Sequence, residues 1–104
     1  GGAARRAAND ADPWPEVRLP PTAGGLEDCR ARAAELQRRG DFPAVARMWA
    51  KLLYLARTVT PPLPNDQLVE LSRDRCEVLS LLELWEDLEA ACTDALDQAL
   101  FEPP

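Results

Sequence analysis

The sequence predicts an all-α fold of four helices, arranged as two stacked antiparallel helical hairpins. Apolar residues in residues 81–100 recur at steps of three and four, which is the period of a helical face and not of a strand. Most prolines lie in a leader, in one central loop and at the end of the chain, so there is room for roughly four helices. The second half also repeats the first at an offset of 43 residues, which places Leu36 on Leu79.

Residues 1–25 are predicted to be a flexible leader or linker, and residues 26–104 to be the helical domain. The leader is rich in small residues and proline and closes with Gly24 and Gly25. Such a composition buries too little surface to offset the entropy of ordering the chain. The alternative is that Trp14 and Leu19 form a docking segment.

The first hairpin is predicted to consist of helices over Leu26–Arg39 and Phe42–Arg57. Acidic residues at the start of the first helix and arginines at its end complement the helix dipole. Gly40 supplies a left-handed stop, and Asp41 is a natural N-cap for the second helix. The second helix is apolar on more than one side, so we expect it to pack between neighbours.

The second hairpin is predicted to follow the proline loop Thr58–Asn65. Its first helix runs from Asp66 to about Leu82, and a break around Glu83–Leu84 leads into the amphipathic stretch 81–100. Because no glycine marks this break, one long bent helix is the alternative. The core predicted for the four helices comprises Leu36, Phe42, Val45, Trp49, Leu52, Leu53, Val78, Leu79, Leu82, Trp85, Leu88, Cys92 and Leu96.

Composition and charge exclude several classes of function. The net charge is −6, and residues 26–58 carry +3 whereas residues 59–104 carry −9, so we expect no nucleic-acid binding. The chain has no histidine and no CxxC pair, so we expect no metal, no cofactor and no catalytic site. Its three cysteines are interpreted as small core residues of a protein in a reducing compartment. No apolar run has membrane length, and we expect a cytoplasmic protein, with the nucleus as the alternative.

Two segments in the 43-residue register resemble the tetratricopeptide repeat family. In AELQRRGDFPAVARMWAKLL, Phe42 takes the turn aromatic and Trp49 the aromatic position of the second helix. In DRCEVLSLLELWEDLEAACTDAL, Trp85 takes the turn aromatic. The sequence departs from the family pattern where Glu83 replaces the turn glycine, and its spacing exceeds the family's 34 residues. The resemblance covers residues 26–100 and implies two divergent repeats with a lengthened first connection.

The resemblance implies a non-catalytic adaptor or scaffold that binds a peptide or a partner protein in the groove of its first helices. The partner-binding residues that it implies are Arg30, Gln37, Arg38, Arg73 and Glu77. A subset of the family grips the terminal carboxylate of heat-shock chaperones with a lysine and two asparagines. Here Ala34 and Asp74 fall on the two asparagines, and Asp74 would repel a carboxylate, so we expect no binding of this kind.

The C-terminal helix suggests an alternative function. Leu96, Leu100 and Phe101 run into the final prolines without the polar capping helix that closes helical repeat arrays. We expect this apolar edge either to meet further helices of a longer protein or to join another subunit. The alternative function is therefore a self-association or assembly module that uses the exposed C-terminal helical edge.

Overall fold

The structure is a computed structural model that describes the backbone of residues 11–100 and the side chains of residues 11–97. Within these residues it consists of four helices and no strand, so the predicted all-α fold is confirmed. We name the helices α1 (Ala23–Arg39), α2 (Phe42–Thr58), α3 (Asn65–Leu81) and α4 (Trp85–Leu100). Helices α1 and α2 form one antiparallel hairpin and α3 and α4 a second, and α2 packs against α3.

Helix α1 begins at Ala23, earlier than the predicted Leu26. The hydroxyl of Thr22 caps it by accepting a hydrogen bond from the Gly25 backbone N–H at 3.1 Å. Gly25 is buried against the preceding chain, and a Cβ built on it would lie 1.9 Å from the carbonyl oxygen of Pro20. Gly24 and Gly25, which were assigned to the flexible leader, therefore lie in the first turn of α1. No acidic residue lies in that turn, so the prediction that acidic side chains complement the helix dipole at the start of α1 is wrong.

Helix α2 supplies most of the core. Asp41 caps it through the Ala44 backbone N–H, as predicted. Trp49, Leu52 and Leu53 are buried in one cluster that also holds Cys29 and Ala33 of α1. A helix buried over this much of its surface has neighbours on several sides. These neighbours are α1, α3, the Ala91 side of α4 and the residues that precede α1.

The two hairpins close with the same backbone motif. In the first, Gly40 is left-handed at φ 77°, and the Asp41 N–H donates to the carbonyl of Leu36 at 3.1 Å. In the second, Glu83 is left-handed at φ 58°, and the Leu84 N–H donates to the carbonyl of Leu79 at 3.0 Å. Both are Schellman turns. The predicted break at Glu83–Leu84 is thus confirmed, and the single bent helix is excluded.

The structure corrects the predicted flexible leader over residues 11–25. Trp14, Val17 and Leu19 pack against the core, and the ammonium of Lys51 donates to the Asp12 carboxylate at 2.6 Å. The docking alternative is the better description of this segment. The reason is that α2 offers it an apolar surface and a buried cation, neither of which its own composition reveals. Residues 1–10, also assigned to the leader, lie outside the described residues.

The predicted core is confirmed on α3 and on most of α2, and it is largely wrong on α4. Val45, Trp49, Leu52, Leu53 and Leu79 are buried, whereas Leu36, Val78, Leu82 and Leu88 are half-buried. By contrast, the four predicted core residues that are exposed are Phe42, Trp85, Cys92 and Leu96. Helix α4 packs along α3, and no other described element covers its outer side. An apolar helical stripe is buried only where a neighbour lies against it.

Candidate protein-interaction surfaces

A groove of about 510 Å³ lies between α1 and α3. Its floor is Leu52 of α2, and apolar side chains of both walls and of the proline loop line it: Leu26, Leu63 and Leu71. The charged part of the lining comprises Arg30 and acidic residues from both helices, Glu27, Glu70 and Asp74, and the rest comprises Ala23 and Gln67. The first helices of the two hairpins therefore enclose a concave surface that combines an apolar floor with a mainly acidic rim.

Arg30 is held by two contacts within the protein. Its guanidinium Nη2 donates to the Asp74 carboxylate at 3.0 Å, which joins α1 to α3. The same guanidinium lies 5.4 Å from the centre of the Trp49 ring, within the range of a cation–π interaction. The ion pair therefore links the two hairpins and not neighbouring turns of α1. Arg30 therefore acts first as a bridge, and its charge is compensated by Asp74.

The five predicted partner-binding residues do not form one site. Of them, only Arg30 lines the groove. Arg73 lines a separate depression of about 600 Å³ on α3, beside Asp66 and Glu70. Gln37, Arg38 and Glu77 are exposed elsewhere.

Arg38, near the end of α1, forms an ion pair within its own helix. It pairs with Glu35, and its hydrogen bond, followed by its charge, lowers the pKa of the Glu35 carboxyl. Arg39 pairs with the same carboxylate, its Nε lying 3.2 Å from the Glu35 Oε1. These contacts follow one helix and do not point to a ligand.

Sequence reasoning missed Leu63, which closes one end of the groove. The signal was present, because Leu63 stands between two prolines and is, with Val59, one of two apolar residues in a loop that is otherwise polar or proline. A loop gives no period from which the direction of one side chain can be inferred. Its place in the groove therefore depends on how the loop connects the two hairpins.

A second surface is the outer face of α4. Leu81 is 73% exposed, Trp85 59% and Leu96 64%, and Cys92 is also exposed. Trp85, Cys92 and Leu96 follow helical spacing on α4, so they form one stripe beside the exposed carboxylate of Glu89, whereas Leu81 is the last residue of α3 and lies before the turn. Large apolar side chains grouped in this way are typical of interaction surfaces. The predicted edge also included Leu100 and Phe101, whose side chains lie outside the described residues.

A half-buried charge cluster joins α4 to the rest of the bundle. Asp94 of α4 pairs with Arg57 of α2, and the Nη1 of Arg75 on α3 lies 3.5 Å from the same carboxylate. Burial, reinforced by the nearby charge of Arg57, lowers the pKa of Arg75, while Asp94 opposes that shift. One carboxylate of α4 therefore pairs with guanidinium groups of both α2 and α3.

Across residues 11–97, no group of three or more His, Cys, Asp and Glu side chains is placed to hold a metal ion. None of the helices in the described part of the chain is both long and apolar enough to cross a membrane.

Comparison with known proteins yielded no relative. No protein-family model matches the chain, and no curated protein and no solved structure shows significant similarity to it.

Proposed function

We propose that this chain is a non-catalytic protein-interaction module, related in design to tetratricopeptide repeats, that binds a peptide segment in the groove between α1 and α3. The observation that carries the proposal is the groove itself, in which four leucines form an apolar lining beneath a charged rim. Grooves lined in this way bind peptides through buried apolar side chains, while polar groups set the orientation. We place the module in the cytoplasm, with the nucleus as the alternative, since Cys29, Cys76 and Cys92 are free thiols.

The charge of the rim favours a basic peptide. The Arg30 guanidinium is compensated by Asp74, whereas Glu27 and Glu70 are exposed and make no ion pair among the described residues. An incoming lysine or arginine beside an apolar side chain would compensate these two carboxylates. A peptide that ends in a carboxylate would meet the acidic rim, and we therefore propose no chaperone-tail binding.

The groove can be tested with two labelled peptides that share a leucine-rich core and differ only in flanking lysines or glutamates. We expect the lysine peptide to bind and the glutamate peptide not to bind, as measured by fluorescence anisotropy. The double variant Glu27→Lys/Glu70→Lys should weaken lysine-peptide binding by about tenfold or more, since each lost charge contact is worth roughly 1 kcal/mol.

The matched control is Glu86→Lys/Glu89→Lys, which makes the same change in net charge on α4. If both double variants lose affinity equally, binding reflects the overall charge and the groove is not the site. Circular dichroism of each variant confirms that the helices remain folded.

Self-association is the second candidate function, and the exposed stripe on α4 favours it. Stacking this face against a second copy would bury Trp85 and Leu96. Sedimentation velocity should then show a mass that rises with concentration in the parent but not in Trp85→Ser/Leu96→Ser. A parent that stays monomeric at high micromolar concentration would remove this candidate.

A further inference from the structure

Two cysteines meet across the second hairpin. Cys76 lies on α3 and Cys92 on α4, and their Sγ atoms are 3.9 Å apart. The sequence offers no motif for this contact, because 16 residues separate the two positions. The turn at Glu83 brings them together by folding α4 back along α3.

We propose that Cys76 and Cys92 form a thiol–disulfide exchange site that reacts with low-molecular-weight disulfides of the glutathione type. The product is an intramolecular disulfide between α3 and α4. The bonded sulfurs of a disulfide lie about 2.05 Å apart, so the two Sγ atoms must approach by roughly 1.9 Å. Rotation about the two Cα–Cβ bonds moves sulfur atoms through distances of this order.

The difference in exposure sets the order of reaction. Cys92 is exposed and is reached first by an incoming disulfide, whereas Cys76 is half-buried. Burial chiefly, followed by the hydrogen-bond contact with Cys92, raises the pKa of the Cys76 thiol. Because the thiolate is the attacking species, Cys76 reacts more slowly than Cys92 with a disulfide that arrives from solvent. Cys76 therefore serves as the resolving thiol.

The exchange proceeds in two balanced steps. The Cys92 thiolate attacks one sulfur of the small disulfide, whose S–S bond breaks and releases one small thiolate, which takes up a proton. The Cys76 thiolate then attacks the Cys92 Sγ of the mixed disulfide and releases the second small thiol. The two protein thiols lose two electrons and two protons in all, and the small disulfide is reduced to two thiols.

Cys29 provides an internal comparison. It is fully buried, its S–H donates to the Met48 carbonyl at 3.6 Å, and burial raises its pKa to about 11. A buried thiol in an apolar cluster is inert toward exchange. We therefore expect the small disulfide to oxidise Cys76 and Cys92 and to leave Cys29 unmodified.

The test treats the reduced 104-residue chain, at low protein concentration, with glutathione disulfide. Intact mass spectrometry should show the loss of two hydrogens, and peptide mapping should join the peptides of Cys76 and Cys92. Closing this loop should also raise Tm by on the order of 10 °C, a shift that added dithiothreitol should reverse.

Single variants separate the two steps. Cys76→Ser should stop at a glutathione adduct on Cys92, and Cys92→Ser should remain unmodified. Cys29→Ala should still close the disulfide, and circular dichroism establishes that each variant is folded. The proposal fails if the parent accumulates only the mixed disulfide, forms dimers through Cys92, reacts at Cys29 or does not react.

Discussion

The ion pair between Asp12 and Lys51 anchors the segment before α1, and its removal should measurably weaken the fold. The Lys51 side chain is 4% exposed and that of Asp12 25%. Breaking a fully buried pair costs about 3–5 kcal/mol, because the remaining charge is left without a partner. Since Asp12 is partly hydrated, and since undocking of the segment would return Lys51 to water, we expect Asp12→Ala to lower the free energy of unfolding by about 2 kcal/mol.

Urea denaturation monitored by circular dichroism measures this loss. The matched control is Glu16→Ala, another acid of the same segment, whose side chain is 74% exposed and lies 3.9 Å from Arg47. Removing so exposed a pair should cost less than about 0.5 kcal/mol. A double variant with Lys51→Met should recover most of the loss, because it leaves no buried charge. Equal costs for Asp12→Ala and Glu16→Ala would refute the anchoring role of Asp12.

The same pair predicts a pH dependence. Burial by itself would raise the pKa of Asp12, but hydrogen bonds from Lys51 and from the Trp14 backbone N–H outweigh it and lower the pKa below its usual 3.8. A carboxyl whose pKa is lower in the folded state stabilises the fold above its unfolded pKa. This contribution should be complete at neutral pH and be lost as the pH falls below about 4 toward the folded pKa. Asp12→Asn should remove that part of the acid dependence of Tm.

Five substitutions test the packing and the backbone conformation. Trp49→Ala should lower the free energy of unfolding, measured by urea denaturation, by about 3–5 kcal/mol, and Trp85→Ala should lower it by less than about 1 kcal/mol, because Trp49 is 4% exposed and Trp85 59%. Similar losses would mean that Trp85 is buried and that the outer face of α4 is covered. Glu83→Gly should raise Tm by a few degrees, since a left-handed non-glycine residue costs about 1–2 kcal/mol, and an unchanged or lower Tm would contradict this. Gly25→Ala should cost about 2 kcal/mol or more, because its Cβ would meet the Pro20 carbonyl, whereas Gly24→Ala, with 3.8 Å of clearance, should cost nothing.

Local signals in the sequence were sufficient for the helices and for one turn. The spacing of apolar residues predicted four helices, since helical periodicity is a property of neighbours along the chain. Gly40 and Asp41 predicted the first hairpin turn, because each acts on the backbone next to it. The offset of 43 residues indicated a second hairpin of the same design, and the Schellman turns at Gly40 and Glu83 fall in that register.

Only the tertiary structure decided which faces are buried and which distant groups meet. Trp14 and Trp85 show this most clearly, because the first was assigned to a flexible leader and packs on the core, whereas the second was assigned to the core and is exposed. The pairing of Arg30 with Asp74 and the approach of Cys76 to Cys92 likewise depend on how α3 and α4 are placed. The sequence by itself determined the helices, the cap of α2, the first hairpin turn and the division of charge between the two halves, which depend on residues a few positions apart. Burial and side-chain contacts depend on elements far apart in the chain. The free energy that favours one set of buried faces over another comes from removing apolar surface from water, and this happens only when the helices pack together.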